Sequence, residues 1–153
     1  MVFVAPTKKA ASVVGREIGT TASSLHRVLM GHGLRWKSDP RIGRTTWSRL
    51  PEQPRQPGRA DALEYGRTFP LGDGDRIVVD EPSMVYLDAA HPLAIVAKET
   101  DAGITMVGDQ YQAMPVGHAG AMAMLAQRAS ATVELSTVHR FRDPADPTKP
   151  NTA

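Results

Sequence analysis

Short apolar runs alternate along the chain with segments whose apolar residues recur every three or four positions. Residues 1–5 form the first apolar run, which Pro6 ends, and residues 8–18 carry the first helical spacing. Such runs between turn residues predict buried strands, and the three-to-four spacing predicts amphipathic helices. We therefore expect a strand at 1–5, a helix over 8–18 and a second, short helix over 23–30.

The same alternation returns in the second half of the chain. Strands are predicted at 76–80, 104–107 and 132–135, and helices at 88–100 and 120–129. Apolar strands that alternate with helices are typical of a parallel sheet whose faces are covered by helices. The pattern therefore predicts an α/β fold.

Two segments lie outside this alternation. Trp36 and Trp47 flank a polar stretch that contains Gly and Arg, and a Pro-rich stretch with few apolar residues follows. This pattern favours a small hairpin and then a mobile loop. Pro and polar residues also dominate the end of the chain, which we expect to be disordered. The predicted organisation is a domain over residues 1–142, with an insertion at about 32–74, and a tail over 143–153.

Composition limits the kind of protein that the chain can be. The 153 residues include no Cys, so neither a disulfide framework nor a thiolate zinc site is available. The five His residues do not have metal-ligand spacing. No apolar run approaches the roughly 18 residues of a membrane span, and the first residues lack the apolar core of a signal peptide. We expect a cytoplasmic protein without a membrane partner.

Charge is divided unevenly, although the net charge of +2 hides this. Residues 1–60 carry eleven Lys and Arg against three Asp and Glu, whereas residues 61–153 carry seven against thirteen. The asymmetry indicates an anionic partner for the first part. The basic residues around the two Trp of the insertion either attract phosphates while the indole rings stack on bases, or form a charged, solvated surface. These basic residues are Arg35, Lys37, Arg41, Arg44 and Arg49.

The ends of the predicted strands carry the candidate chemistry, because ligands of parallel α/β sheets bind beyond the carboxyl ends of the strands. Asp80 and Glu81 follow the apolar run 77–79 as two adjacent carboxylates. Such a pair suits nucleotide hydrolysis, since one carboxylate can hold Mg²⁺ through its waters and the other can orient the attacking water. By itself, the pair is equally typical of a solvated strand end.

Two further strand ends favour nucleotide chemistry. The run 104–107 continues into residues 108–112, where the amide of Gln112 can sense a phosphate or its water without adding charge. The last predicted strand is followed by Arg140, whose guanidinium can stabilise charge on a transferring phosphoryl group. Taken alone, the first segment would be an ordinary loop and Arg140 a surface residue.

Four segments, in this order and spacing, resemble motifs of the first RecA-like domain of RecD-like superfamily 1 DNA helicases, most closely the helicase region of MobF-type conjugative relaxases. The resemblance covers nearly the whole chain and implies an incomplete RecA-like P-loop NTPase fold in an ATP-dependent helicase that moves on single-stranded DNA. The matching segments are 5–11 with 24–26 for motif Ia, 79–84 for Walker B, 107–117 for motif III and 133–141 for motif IV.

The resemblance also implies roles for the residues at the ATP site. Asp80 would be the acid associated with Mg²⁺, Glu81 the catalytic base, Gln112 the sensor of the γ-phosphate and Arg140 the arginine that contacts phosphate. Pro82 departs from the family, which more often has Ala there. Because a proline disfavours helical backbone in the preceding residue, we expect Glu81 to be extended.

By the same resemblance, Thr7, Lys8 and His26 would lie near single-stranded DNA. They follow the first strand and begin the second predicted helix. His26 is alternatively a helix residue satisfied by its neighbours.

One motif of the family is missing, because no Gly-x-x-x-x-Gly-Lys-Ser/Thr occurs in the chain. The resemblance places this phosphate-binding loop before the first strand and a second RecA-like domain after motif IV. We therefore expect a fragment of a helicase that hydrolyses ATP poorly alone and needs both missing parts as partners. The alternative is a non-catalytic remnant that binds single-stranded DNA, or a truncated inactive product.

Overall fold

A four-stranded parallel sheet lies at the centre of the fold. The structure, a computed structural model, describes residues 1–41, 43–49, 69–109, 125–135, 142–143 and 146–150. Its strands are β1 (Val2–Ala5), β2 (Ala22–Ser24), β3 (Leu34–Asp39), β4 (Arg44–Arg49), β5 (Arg76–Asp80), β6 (Gly103–Val107), β7 (Arg142–Asp143) and β8 (Asp146–Pro150). Its helices are α1 (Lys8–Ile18), α2 (Leu25–Gly31) and α3 (Leu87–Thr100), and a 3-10 turn covers Pro82–Met84.

The sheet has the strand order β2-β1-β5-β6, and each neighbouring pair is parallel. Crossovers between parallel strands are right-handed. The chain crosses from β1 to β2 through α1 and from β5 to β6, in the opposite direction, through α3. The two helices therefore cover opposite faces of the sheet, which confirms the predicted α/β fold class.

The main hydrophobic core lies between the sheet and the face covered by α2 and α3. Val4 of β1 and Val79 of β5 point into it, together with Leu29 of α2 and Val96 of α3. These four side chains are almost completely removed from water. Leu34, the first residue of β3, joins the same cluster and so connects the hairpin to the core.

Helix α1 has the bounds that the sequence predicts. The hydroxyl of Thr7 accepts a hydrogen bond from the backbone N–H of Ala10 at 3.1 Å, which satisfies one free donor of the first turn. At the other end Gly19 has φ 65°, and its N–H donates to the carbonyl of Gly15. A left-handed residue ends helices commonly, and glycine adopts that conformation without strain.

The hairpin predicted between Trp36 and Trp47 is present. β3 and β4 pair antiparallel, and the two tryptophans lie directly opposite each other. The loop expected after the hairpin falls mostly within 50–68, which lies outside the described residues. No helix in the described part of the chain has both the length and the apolar character needed to cross a membrane.

The last third of the chain differs from the sequence expectations. Residues 131–135 have no regular structure, and Val133 and Leu135 are 83% and 88% exposed, so the strand predicted at 132–135 is wrong. A four-residue segment with two apolar residues forms a strand only where a neighbouring strand pairs with it, and no strand of the described part pairs with 132–135. The predicted helix 120–129 is helical at 125–126, while 120–124 lie outside the described residues. Within the tail, β7 and β8 pair with each other where disorder was expected.

Candidate functional site

The carboxyl ends of the four parallel strands meet at one edge of the sheet, which we call the carboxyl edge. It is formed by the strand ends at Ala5, Ser24, Asp80 and Val107 and by the residues that directly follow them. Thr7, Lys8 and His26, which are predicted to lie near DNA, follow β1 and β2. The two carboxylates, Asp80 and Glu81, lie at the end of β5. The strand pairing therefore brings the described candidates of two motifs, motif Ia and Walker B, to one edge, as expected for a ligand site in this class of fold.

Asp80 and Glu81 lie half-buried at the centre of this edge. In the described ranges, neither carboxylate has a hydrogen-bond or ion-pair partner. Their oxygens remain available to accept hydrogen bonds from water or from the water shell of a cation. The geometry is therefore compatible with the roles that the resemblance implies for the pair.

The backbone of Glu81 is left-handed, with φ 50° and ψ 47°, so the expected extended conformation is wrong. Its N–H donates to the carbonyl of Val107 at 3.2 Å, and its carbonyl accepts from the N–H of Met84 at 3.0 Å. These bonds hold the chain in a sharp turn between β5 and the 3-10 turn. Strained backbone costs about 1–3 kcal/mol and persists only where the surrounding structure enforces it, often at functional sites.

Gly108, the first residue after β6, packs against this turn. A Cβ atom at Gly108 would lie 2.6 Å from Cδ of Pro82 and 3.6 Å from Cα of Glu81. The first distance is too short for a real side chain, so the close approach requires glycine. The first residue after β6 is thus in direct contact with the turn at Glu81 and Pro82. Nothing in the sequence identified this contact.

Thr7 and Lys8 lie where β1 passes into α1. Both residues are exposed. The Thr7 hydroxyl already caps the helix by accepting from Ala10 at 3.1 Å, so it has a structural role whether or not it contacts a ligand. Lys8 begins the helix at the carboxyl edge, where its ammonium group faces water.

His26 contacts both tryptophans of the hairpin. Its ring centroid lies 6.0 Å from that of Trp36, with an interplanar angle of 86°, and 5.2 Å from that of Trp47, with an angle of 47°. Trp36 is 49% exposed, whereas Trp47 is partly buried against the core. We call these three residues the aromatic cluster. Sequence reasoning treated His26 and the tryptophans separately, because their positions along the chain give no sign of contact.

Two of the basic side chains of the insertion hold the hairpin in place. Arg35 donates to the carbonyls of Met30 and Leu34 at 2.9 and 2.7 Å. Arg49 donates to the carbonyl of His32 at 3.0 Å and forms an ion pair with Glu99 of α3. These contacts attach β3 and β4 to α2 and α3, so Arg35 and Arg49 have structural partners of their own.

His32, whose carbonyl accepts from Arg49, also takes part in the contacts that hold the hairpin. Its Nε2 is hydrogen-bonded to the carbonyl of Phe69 at 3.1 Å. Burial is the largest influence on the pKa of His32 and lowers it below its usual value, and the positive charge of Arg49 lowers it further. The hydrogen bond to the Phe69 carbonyl and the negative charge of Glu99 raise the pKa, but they do not cancel the effect of burial. The neutral imidazole is therefore the form that the folded protein favours.

Comparison with protein-family models decides the family. Residues 1–149 match the model of the AAA domain. The chain belongs to the AAA domain family. This is a P-loop NTPase type of domain, found in RecD-like helicases, and the parallel sheet with its helices is consistent with a RecA-like fold. Comparisons with curated proteins and with solved structures give no match.

AAA domains of this type generally bind nucleotide and Mg²⁺. The residues at the carboxyl edge can therefore be examined for groups that could hold the metal ion. Among the described residues, no group of three His, Cys, Asp or Glu comes together that could hold a metal ion. Mg²⁺ is commonly held by one or two carboxylates, waters and the substrate's phosphates, so Asp80 and Glu81 fit the metal side of such a site. Gln112 and Arg140 lie outside the described residues, and their roles stay predictions.

Proposed function

We propose that this AAA domain binds Mg²⁺-ATP at the carboxyl edge and belongs to a motor that moves on single-stranded DNA. The observation that carries the proposal is the pair of half-buried carboxylates at the end of the central strand β5, without partners among the described residues. Asp80 would hold the metal through a water molecule, and Glu81 would accept a proton from the attacking water.

The backbone around Glu81 supports its assignment as the base. Because its N–H is bonded to Val107 and its carbonyl accepts from Met84, its position is tied to both β6 and the 3-10 turn. A base contributes to hydrolysis only when it is held within hydrogen-bond reach of the water. β6 also leads directly into the segment with Gln112, which we propose as the sensor of the γ-phosphate, and Arg140 is proposed to contact the same phosphate.

The chain lacks the usual means of binding the phosphates themselves. No Gly-x-x-x-x-Gly-Lys-Ser/Thr motif is present, and this loop normally surrounds the phosphates with backbone N–H groups and a lysine. We therefore propose that the chain acts as a fragment of a larger helicase, such as the helicase region of a conjugative relaxase. Alone, it should bind nucleotide weakly and hydrolyse it slowly.

Paramagnetic broadening in NMR spectra tests the metal site directly, without requiring turnover. Mn²⁺ with a non-hydrolysable ATP analogue should broaden the backbone amide signals of Asp80, Glu81, Val107 and Gly108 first. The variant Asp80→Asn should lose most of this selective broadening, whereas Glu81→Gln should retain it. The matched control is Asp73→Asn, because Asp73 is exposed and precedes β5 at the opposite edge of the sheet.

Selective broadening that persists unchanged in Asp80→Asn would contradict the proposal, as would broadening centred elsewhere. A phosphate-release assay tests the expectation of weak turnover. Rapid, DNA-stimulated release that disappears in Glu81→Gln would show that the chain is a competent ATPase and would overturn its assignment as a fragment.

A second candidate function is a domain that binds single-stranded DNA without catalysis. The aromatic cluster and the basic first part of the chain favour it, and they do not depend on the ATP site. Salt-sensitive DNA binding combined with no detectable Mn²⁺-nucleotide binding would select this function.

A further inference from the structure

We propose that the aromatic cluster, His26 with Trp36 and Trp47, is a site at which an unpaired DNA base stacks on Trp36. The choice of single-stranded DNA as ligand rests on the proposed function. The site itself rests on the geometry of the hairpin and α2.

The two tryptophans have different positions in the proposed site. They lie opposite each other across β3 and β4, but Trp47 packs against the core while Trp36 is 49% exposed. His26 meets Trp36 at 86°, an edge-to-face contact that fixes the ring. Trp36 therefore presents indole surface to water on a supported side chain. Bases stack on such rings with little dependence on sequence, because each base has a flat π surface.

The charges around the cluster suit a polyanion. Residues 25–49 include six Lys and Arg and one Asp. Arg27 follows His26 directly and Lys37 follows Trp36, and both are exposed. Arg41, near the turn of the hairpin, has a side chain that is 90% exposed. Lys37 lies on the opposite face of β3 from Trp36, because successive strand residues alternate, so these cations attract a polyanion to the hairpin as a whole.

The hairpin is held in position before a ligand arrives. The bonds of Arg35 to Met30 and Leu34, and of Arg49 to His32 and Glu99, attach it to both helices on this face. A surface fixed in this way loses little conformational freedom on binding, which favours affinity. Arg35 and Arg49 are therefore supports of the hairpin, whereas Arg27, Lys37 and Arg41 have exposed side chains that can meet phosphates.

The cluster is also continuous with the carboxyl edge. His26 lies in the first turn of α2, immediately after β2, and β2 is the neighbour of β1 in the sheet. Thr7 and Lys8 follow β1 at the same edge. A strand of DNA that contacts Lys8 can therefore reach the hairpin by crossing the start of α2.

Fluorescence separates the two tryptophans, since the chain contains no others. In Trp36→Phe the remaining emission comes from Trp47, and in Trp47→Phe from Trp36. We expect a 15-nucleotide oligo(dT) to quench Trp36 strongly and Trp47 weakly. Because Trp47→Phe removes a ring that packs on the core, the two indole N–H signals in the NMR spectrum of the unchanged protein provide the same comparison without that variant.

Binding constants then separate stacking from charge. Trp36→Ala should weaken oligo(dT) binding about tenfold, within the range for the loss of one base–aromatic stack, and should leave the salt dependence unchanged. Lys37→Ala should lower the slope of log K against log salt by about one phosphate contact. An abasic oligonucleotide of equal length has the same charge but no bases. Its affinity for the unchanged protein should be about as low as the affinity of oligo(dT) for Trp36→Ala.

Equal affinity for the abasic and the normal oligonucleotide, or unchanged binding by Trp36→Ala, would overturn the stacking site and leave the proposed motor function intact. No binding of oligo(dT) at low salt would overturn the site together with the DNA-binding part of the proposed function. The Mn²⁺-nucleotide experiment on Asp80 reads the ATP site independently, so the failures are distinguishable.

Discussion

At the carboxyl edge, backbone contacts hold Glu81 in position. At the hairpin, contacts between side chains hold the aromatic cluster in position. Glu81 is held by hydrogen bonds of its own peptide groups to β6 and the 3-10 turn, and by the close packing of Gly108 on Pro82. The aromatic cluster is held by ring contacts and by Arg49, which reaches from the hairpin to Glu99. The first arrangement leaves no room for an added atom, and the second rests on several weaker contacts.

The difference predicts how each region responds to substitution. A site positioned by close backbone approach should fail when one atom is added, since interiors cannot expand without strain. A site positioned by exposed side chains should weaken in steps, because each surface contact contributes little by itself. Four measurements, from the largest expected effect to the smallest, test this contrast.

Gly108→Ala should have the largest effect. The added Cβ would lie 2.6 Å from Cδ of Pro82, so the turn at Glu81 and Pro82 must shift, at a cost of about 1–3 kcal/mol in the free energy of unfolding. Urea denaturation followed by circular dichroism measures this difference. Gly72→Ala is the matched control, because a Cβ there meets nothing within 4 Å. Equal stabilities of the two variants would show that the turn is not closely packed.

Thr7→Ala should lower the free energy of unfolding by about 1 kcal/mol, since it removes the side-chain acceptor for the N–H of Ala10 at the start of α1. Thr7→Ser keeps the hydroxyl and should remain close to the unchanged protein. Thermal unfolding of both variants compares them. If Thr7→Ser loses as much stability as Thr7→Ala, the cap is not the reason that Thr7 is needed.

Arg49→Ala should cost about 0.5–1 kcal/mol, because its ion pair with Glu99 is exposed and, among the described residues, its one further hydrogen bond is to the His32 carbonyl. Arg41→Ala removes the same charge from a side chain that is 90% exposed and should have almost no effect. A double-mutant cycle with Glu99→Ala isolates the pair. An effect of Arg49→Ala larger than that of Gly108→Ala would reverse the contrast between the two regions.

The smallest expected effect is the pH dependence that His32 contributes. Burial lowers its pKa in the folded protein from the ordinary 6.5, so the unfolded chain binds this proton more readily. The free energy of unfolding should therefore fall as the pH drops below about 6.5, and continue to fall until the folded protein also binds the proton. His32→Gln should flatten this part of the profile.

The control for that profile is His91→Gln, since His91 is an exposed residue of α3. Urea denaturation between pH 7 and 5 compares the two variants with the unchanged protein. A profile that is equally steep in His32→Gln would assign the pH dependence to other groups.

Local patterns were sufficient for the regular elements with strong periodicity or strong end signals. The sequence predicted α1 at residues 8–18 and β5 at 76–80, which are their observed bounds, and it predicted the hairpin around Trp36 and Trp47. It missed β2, because three residues directly before a helix are too few to show a strand period. It predicted a strand at 132–135, where the apolar residues are exposed in the structure.

By itself, the sequence determined the α/β class, the candidate carboxylates Asp80 and Glu81 at a strand end, and the resemblance that matches the AAA domain family. These follow from residue type and spacing along the chain, which determine which local structures are stable and which chemistry is available. Only the tertiary structure decided the left-handed backbone of Glu81, the contact of Gly108 with Pro82, and the meeting of His26 with both tryptophans. These depend on groups far apart in the sequence, and the pairing of the strands and the packing of the hairpin bring them together.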